Sequence, residues 1–191
     1  MKKLLYLHGF LSGPESAKSQ QLAAIFAELG QSEQLFAPQL PAEPQAVMQL
    51  LTTWLAEQDL TQLVVMGSSL GGFFATVVAE RYDLPAVLIN PAVRPHQLAH
   101  HFLGTHRYYY SAQEVTVTPE MIEALAVLEP KSIHPQRYWL MLASGDETLD
   151  AQQALAYYRG CQRLDYVEGG DHSFSCFPQY LPAVLEFLRG P

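Results

Sequence analysis

The chain has 191 residues, a length that fits one domain with a hydrophobic core of its own. Its hydrophobic fraction of 49% and charged fraction of 16% are those of a folded globular protein rather than a disordered one. The formal net charge is −8 and no basic run of five or more residues occurs, which argues against nucleic acid or an anionic membrane as the main partner.

Apolar segments and cysteines indicate whether the chain is secreted, membrane-spanning or cytoplasmic. The apolar run at 4–7 follows two lysines but ends too early for a signal peptide, and no small-residue cleavage site follows it. No segment approaches the roughly 18 apolar residues that a membrane-spanning helix needs. Cys161 and Cys176 form neither a CxxC nor a zinc spacing, so we expect two free thiols in a cytoplasmic protein.

Short apolar runs alternate with longer amphipathic stretches along most of the chain, a pattern typical of βαβ units. Strands are predicted at 4–7, 34–37, 63–66, 86–89, 138–143 and 163–167. Helices are predicted at about 22–29, 47–55, 70–78, 151–158 and 181–188, where apolar residues recur at helical spacing. The pattern predicts an α/β protein with a mostly parallel sheet of about six strands and helices on both faces.

Residues 91–137 break this alternation. They are rich in His, Tyr and Pro and contain one well-marked helix, with Thr118 as N-cap and Pro119 in its first turn, running to Pro130. A stretch this long between two strands of a compact domain is usually functional. We therefore predict a single domain over 1–191 with a lid insertion at about 91–137.

The pentapeptide 67–71, Gly-Ser-Ser-Leu-Gly, matches the G-x-S-x-G nucleophile elbow. In that motif the serine occupies a strained turn above the sheet, and the flanking glycines let strand and helix approach closely. A phosphate-binding turn would instead require a P-loop lysine or a G-x-G-x-x-G series, and neither is present. Because a buried strand precedes the motif and an amphipathic helix follows it, we predict an α/β-hydrolase fold with Ser69 as nucleophile.

A serine hydroxyl needs a general base at neutral pH, and histidine is the usual one. In this fold the chain order is Ser, then Asp or Glu, then His, so the base is expected after the last strand. Of the seven histidines only His172 follows that strand, in a loop that Gly169 and Gly170 make flexible. We predict His172 as the base, with a solvated loop histidine as the alternative.

The acid that orients the histidine is expected after the preceding strand. Asp146 follows a turn glycine there, and Glu147 and Asp150 are its rivals. Asp171 is adjacent to His172, and a side chain one residue away rarely reaches its neighbour's ring. We therefore predict Asp146 as the acid of a Ser-His-Asp triad.

An oxyanion hole needs two backbone amides. One is expected to be the N–H of Leu70, which follows the nucleophile. The other is expected from the loop after the first strand, as the N–H of Phe10. His8 in that loop is interpreted as a structural residue rather than as a second base.

The segment that follows residue 91 carries several candidate ligands. His96 and His100 are four residues apart, but no carboxylate or cysteine completes a recognisable site, so we expect no metal. An amphipathic lid that lines an acyl pocket is favoured instead. Arg94 lies at the sheet edge where ligands bind and is a candidate for contact with an anionic substrate group. A structural ion pair or a solvated side chain is the commoner situation for such an arginine.

With the triad placed, the chain resembles the YqiA-like bacterial esterases, a small α/β-hydrolase family. The resembling segments are 6–10, 14–18, 38–41, 67–72, 90–95, 145–147, 149–150 and 168–174, whereas about 97–136 departs from the pattern. The resemblance implies an esterase that acts on short-chain esters and on acyl-CoA thioesters, with Ser69, Asp146 and His172 at the triad positions.

The leading hypothesis is therefore a serine esterase without metal or organic cofactor, whose substrate is a small acyl ester or thioester. One alternative is a non-catalytic binding protein that kept the fold. Another is an amidase, a peptidase or a carbon–carbon bond hydrolase that uses the same triad. A dehalogenase is disfavoured, because that chemistry uses a carboxylate in place of the serine.

Overall fold

A computed structural model describes residues 1–190. Its strands are β1 (Lys3–Leu7), β2 (Leu35–Phe36), β3 (Leu63–Ser68), β4 (Ala86–Ile89), β5 (Gly104–Arg107), β6 (Glu114–Val117), β7 (Tyr138–Ala143) and β8 (Arg163–Val167). Its helices are α1 (Ala17–Glu28), α2 (Pro44–Leu55), α3 (Leu70–Tyr82), α4 (Pro95–Leu98), α5 (Pro119–Leu128), α6 (Ala151–Tyr157) and α7 (Leu181–Arg189). Within residues 1–190 no helix combines the length and the apolar character that crossing a bilayer requires.

Six strands form one sheet in the order β2-β1-β3-β4-β7-β8, and every neighbouring pair is parallel. The central strands β3, β4 and β7 are buried along their whole length, which is why they are near-continuous apolar runs in the sequence. The predicted parallel sheet of about six strands is confirmed. Because the strands are parallel, their carboxyl ends meet at one edge, where loops can assemble a site.

Helices cover both faces of this sheet, as predicted. Alternate residues of each strand point to opposite faces, so in β1 Leu4 belongs to one apolar cluster and Leu5 to the other. Helices α1 and α7 pack on the first face through residues such as Phe26 and Leu188. Helices α2, α3 and α6 pack on the second, with Leu51 among their buried residues.

The segment 91–137 contains more regular structure than the sequence predicted. Besides α5 it holds the short helix α4 and an antiparallel hairpin of β5 and β6. The hairpin strands have four residues each and are mostly exposed, so they carry little of the apolar alternation that reveals a strand. Helix α5 begins as predicted, with the Thr118 hydroxyl accepting the Met121 amide, but it ends at Leu128. Glu129 leaves the helical conformation because Pro130 follows it.

Candidate active site

The junction of β3 and α3 holds Ser69 in a backbone conformation that few residues other than glycine adopt, with φ 56° and ψ −124°. The neighbouring glycines make this turn possible by close backbone contact. A Cβ atom on Gly67 would lie 2.2 Å from the Gly71 carbonyl oxygen, and one on Gly71 would lie 2.1 Å from the Leu7 carbonyl oxygen. The turn therefore projects the Ser69 side chain from the carboxyl end of the sheet, at the N-terminus of α3.

A continuous hydrogen-bonded chain links the three residues predicted as a triad. His172 Nε2 lies 3.0 Å from Ser69 Oγ, and His172 Nδ1 lies 2.8 Å from Asp146 Oδ2. The Asp146 side chain is only 2% exposed, and its Oδ1 also accepts the amides of Thr148 and Leu149 at 2.8 Å. With Nδ1–H donating to the carboxylate, Nε2 carries the lone pair that can accept the serine proton.

The other carboxylates considered as the acid of the triad each bind a group other than the His172 ring. Glu147 Oε2 accepts the backbone amide of His172 at 2.9 Å, a hydrogen bond that lowers the pKa of Glu147. Asp150 caps α6 by accepting the Gln152 amide at 2.8 Å. Asp171 accepts the amide and the hydroxyl of Ser175. Of the four carboxylates considered from the sequence, Asp146 is the one hydrogen-bonded to the His172 ring.

Asn90, which was not predicted as a site residue, supports the loop at 168–174 that carries His172, called the histidine loop below. Its side chain is buried between the end of β7 and that loop. The Asn90 amide nitrogen donates to the carbonyl oxygens of Asp171 at 3.0 Å and His172 at 3.1 Å, while its Oδ1 accepts the Ala143 amide at 2.9 Å. A polar residue directly after a buried strand, next to the strand that precedes Ser69, is the signal that could have identified it.

The loop after β1 lies against the serine. A Cβ atom on Gly9 would lie 3.3 Å from Ser69 Cβ and 3.8 Å from Ser69 Oγ. Among the hydrogen bonds within residues 1–190, none is donated by the backbone amide of Phe10 or of Leu70. Both predicted oxyanion donors therefore belong to segments that adjoin Ser69 and keep their N–H groups available.

His8 holds this loop in shape. Its Nδ1 donates to the Gly9 carbonyl oxygen at 2.9 Å, and its Nε2 accepts the Leu40 amide at 3.0 Å. Burial lowers the pKa of His8, which favours the neutral ring that this pair of hydrogen bonds requires. The contacts agree with the structural role expected for His8.

A cavity of about 820 Å³ lies over Ser69 and His172. One part of its wall is apolar and comes from residues within 91–137. These are Leu98, Ala99, Phe102, Val117, Met121, Ile122 and Leu125. Another part is polar and comes from α1 and the histidine loop, with Lys18, Gln21, Ser173 and Ser175. Lipophilic and polar parts of one ligand could therefore occupy different regions of the same cavity.

Arg94 does not line this cavity. Its Nε donates to Glu129 Oε1 at 3.0 Å, and its guanidinium lies 5.7 Å from the Tyr157 ring centroid. These contacts form an ion pair, which was the alternative considered for this arginine, and contact with a substrate stays a prediction. His96 Nδ1 lies 3.7 Å from the same glutamate. In the part of the chain that the structure describes, no group of three or more His, Cys, Asp or Glu side chains is arranged around a metal position.

Comparison with solved structures identifies the fold. Est1E from Butyrivibrio proteoclasticus matches with a TM-score of 0.69 and 14% identity, over 98% of this chain and 86% of that one. Alpha/beta hydrolase domain-containing protein 10 from mouse matches with a TM-score of 0.65 and 14% identity, over 97% and 90%. A metagenome-derived lipolytic enzyme of the LipS and LipT pair matches with a TM-score of 0.64 and 18% identity, over 99% and 94%. The fold is that of the α/β-hydrolases.

The family model described as Uncharacterised protein family (UPF0227) matches residues 3–189. The match spans residues 67–71, Asp146, the loop that carries His172 and the whole segment 91–137. This family is the YqiA-like one that the sequence motifs resemble. The chain belongs to the UPF0227, or YqiA-like, family.

Proposed function

We propose that the chain is a serine esterase that hydrolyses short-chain carboxylic esters, and acyl-CoA thioesters as well, through an acyl-enzyme. The observation that carries this proposal is the chain of hydrogen bonds from Ser69 Oγ through the His172 ring to Asp146, at 3.0 and 2.8 Å. A base in contact with the nucleophile and oriented by a buried carboxylate is the arrangement that activates a serine hydroxyl.

In the acylation step the Ser69 oxygen attacks the acyl carbonyl carbon while His172 Nε2 takes the hydroxyl proton. The negative charge that forms on the carbonyl oxygen is stabilised by the N–H groups of Leu70 and Phe10, with the N-terminus of α3 adding its partial positive charge. Asp146 stabilises the imidazolium. The bond to the leaving alcohol or thiol then breaks, and that group takes the proton from His172.

In the deacylation step a water molecule occupies the place of the departed group. His172 Nε2 takes a proton from this water as its oxygen attacks the acyl carbon of the Ser69 ester. The second tetrahedral intermediate collapses, the serine oxygen regains a proton from His172, and the carboxylic acid is released. The cycle needs no metal or organic cofactor.

The segment 91–137 is proposed to be a lid within a single hydrolase domain over 1–191. Its apolar residues in the cavity wall support an acyl group as the part of the substrate that they contact. We further propose a cytoplasmic location, where Cys161 and Cys176, both unpaired among the described residues, remain thiols.

A serine-directed fluorophosphonate probe tests the nucleophile. We expect the wild-type chain to be labelled, Ser69→Ala to lose both labelling and hydrolysis of p-nitrophenyl butanoate, and Ser68→Ala to keep both. Ser68 is the matched control because it is the adjacent buried serine and, among the described residues, makes no hydrogen bond to His172. Turnover that survives in Ser69→Ala would refute the assignment.

Probe labelling, together with a comparison of substrates, also distinguishes the esterase from the alternative functions. A binding protein that only kept the fold would leave the probe unreacted, since labelling requires an activated serine. An amidase or a carbon–carbon bond hydrolase would be labelled but would prefer amides or diketones over esters. Rates on matched esters, thioesters and amides of one acyl group therefore decide between these reactions.

A further inference from the structure

Lys18 contributes a positively charged group to the wall of the cavity above Ser69. It lies in the first turn of α1, and its Nζ donates to the Ser173 carbonyl oxygen at 2.5 Å. Within residues 1–190 no carboxylate lies within 4.0 Å of this ammonium. The lysine thus lines the cavity without an ion-pair partner.

The environment of this ammonium is one that favours an added anion. Burial lowers the pKa of Lys18, and the more distant charge of Asp171 opposes that effect only in part. The Asp171 carboxylate is already engaged by the Ser175 amide at 3.1 Å and by the Ser175 hydroxyl at 2.7 Å. A partly buried ammonium with no carboxylate in contact is stabilised when an anion enters the same space.

Two further polar residues, Gln21 and Glu147, line the cavity together with Lys18. Gln21 lies three residues after Lys18 on α1 and also lines the cavity, and its Oε1 is buried with no hydrogen-bond partner among the described residues, so this oxygen can accept a hydrogen bond from a donor on a ligand but does not attract an anion. Glu147 supplies a negative group to the cavity wall, but its Oε2 is bound to the His172 amide. The Lys18 ammonium is therefore the group on the α1 side that attracts an anion, whereas the lid side of the cavity is apolar.

The position of Lys18 relative to His172 indicates whether Lys18 would contact the acyl group or the leaving group of a substrate. The lysine is bonded to Ser173, the residue after His172, so it lies on the histidine side of the serine. In the proposed mechanism His172 returns its proton to the leaving group, which must therefore occupy that side. The acyl group then extends towards the apolar lid residues.

We propose that the α1 side of the cavity is a subsite for an anionic group, a carboxylate or a phosphate, carried by the alcohol or thiol part of the substrate. Lys18 binds this group through its charge and through the two N–H donors that Ser173 does not use. The inference rests on the proposed esterase function and specifies the substrate class for the same site.

The test compares aryl butanoates that differ only in the substituent of the leaving group. The 3-carboxyphenyl and 3-phosphonophenyl esters carry an anion, and the 3-carbamoylphenyl ester is their neutral counterpart. We expect the wild-type kcat/KM for at least one anionic ester to exceed that for the neutral ester by about tenfold, as a charge-assisted hydrogen bond would give. Added salt should reduce this ratio.

Substitution at position 18 decides whether the lysine is responsible. We expect Lys18→Gln to reduce the anionic-to-neutral ratio to about one, and Lys18→Arg to retain a ratio above one. The ratio cancels any uniform loss that follows from breaking the bond to Ser173. A wild-type ratio of one or less would overturn the proposal, as would a Lys18→Gln variant that loses both activities equally.

These outcomes remain distinct from failure of the esterase assignment itself. If the wild-type chain hydrolyses the neutral ester and reacts with the fluorophosphonate probe, the esterase proposal stands whatever the ratio is. If it does neither, the esterase proposal is wrong and the subsite proposal falls with it.

Discussion

The Asn90 side chain donates a hydrogen bond to the backbone carbonyl of His172 at 3.1 Å, so the end of β4 directly supports the proposed catalytic base. The same side chain accepts the Ala143 amide at 2.9 Å, which ties the histidine loop to the end of β7. Asn90 touches neither Ser69 nor the imidazole ring in any hydrogen bond of the described chain. It is therefore a positioning residue that acts through the His172 backbone.

Removing the two donors of Asn90 while keeping its shape should misplace His172. We expect Asn90→Asp to lower kcat by about a hundredfold, because small displacements of a catalytic group have effects of that size. Its Oδ1 can still accept the Ala143 amide, whereas its second oxygen faces two carbonyl oxygens, so a loss of stability is expected beside the loss of kcat. The measurement is steady-state kinetics beside thermal unfolding. An unchanged kcat in a folded Asn90→Asp protein would show that the base does not depend on this residue.

The choice among the carboxylates around His172 can be tested directly. Asp146→Asn should lower kcat by about 10³- to 10⁴-fold, because the amide no longer stabilises the imidazolium or selects its tautomer. Asp150→Asn is the matched control, since that carboxylate caps α6 and makes no contact with the ring. We expect it to keep kcat near the wild-type value. A larger loss in Asp150→Asn than in Asp146→Asn would reverse the assignment.

The strained backbone at Ser69 predicts that replacing this proposed nucleophile with glycine increases stability relative to replacing it with alanine. Glycine adopts a φ of 56° without steric cost, whereas alanine does not. We expect Ser69→Gly to unfold at a higher free energy than Ser69→Ala, by about 1 kcal/mol. Urea titration of the two inactive variants measures this difference directly. A Ser69→Gly variant less stable than Ser69→Ala would show that the turn stores no strain.

We predict that the apolar cavity wall formed by residues of 91–137 limits the length of the acyl group that the protein accepts. Met121 on α5 lines the cavity, and its flexible side chain leaves room that a larger ring would fill. We expect Met121→Trp to reduce kcat/KM for p-nitrophenyl octanoate by about tenfold relative to p-nitrophenyl acetate, a difference that loss of a few methylene contacts would produce. An equal effect on both esters would mean that the acyl chain lies elsewhere.

Far from the site, Glu80 should make stability depend on pH. Burial raises the pKa of its carboxyl, but hydrogen bonds from His134 and Tyr138 and the charge of Arg137 outweigh burial, so the pKa is lowered. A carboxyl whose folded-state pKa lies below its unfolded value stabilises the protein above the unfolded pKa. This contribution is lost as pH falls through the folded pKa.

Glu80→Gln should therefore flatten the decline in unfolding free energy between pH 7 and the acid range below about pH 4, near the ordinary glutamate pKa. Glu123→Gln is the control, because Glu123 is exposed on α5. The measurement is urea unfolding across this pH range. If both variants keep the wild-type slope, Glu80 does not supply the pH dependence.

Much of the fold could be predicted from the sequence, because burial of a strand or helix requires a local pattern of apolar residues. Strands such as β3 and β7 are buried on both faces and appear as apolar runs, while α2 and α7 show helical spacing of apolar residues. The hairpin of β5 and β6 has no such apolar pattern, because its strands are short and mostly exposed. The bounds of the segment 91–137 were therefore predicted, but its hairpin was not.

The order of Ser69, Asp146 and His172 along the sequence determined which residues to consider, since each follows the end of a strand and those ends share one edge of the sheet. Only the tertiary structure decided which side chains meet there. It assigned Glu147 to the His172 amide, Asp150 to α6 and Arg94 to a glutamate, and it brought Asn90 under the histidine loop. Hydrogen bonds depend on the positions of individual polar atoms to within a few tenths of an ångström. Residues far apart in the chain reach those positions through strand register and loop conformation, which no local pattern records.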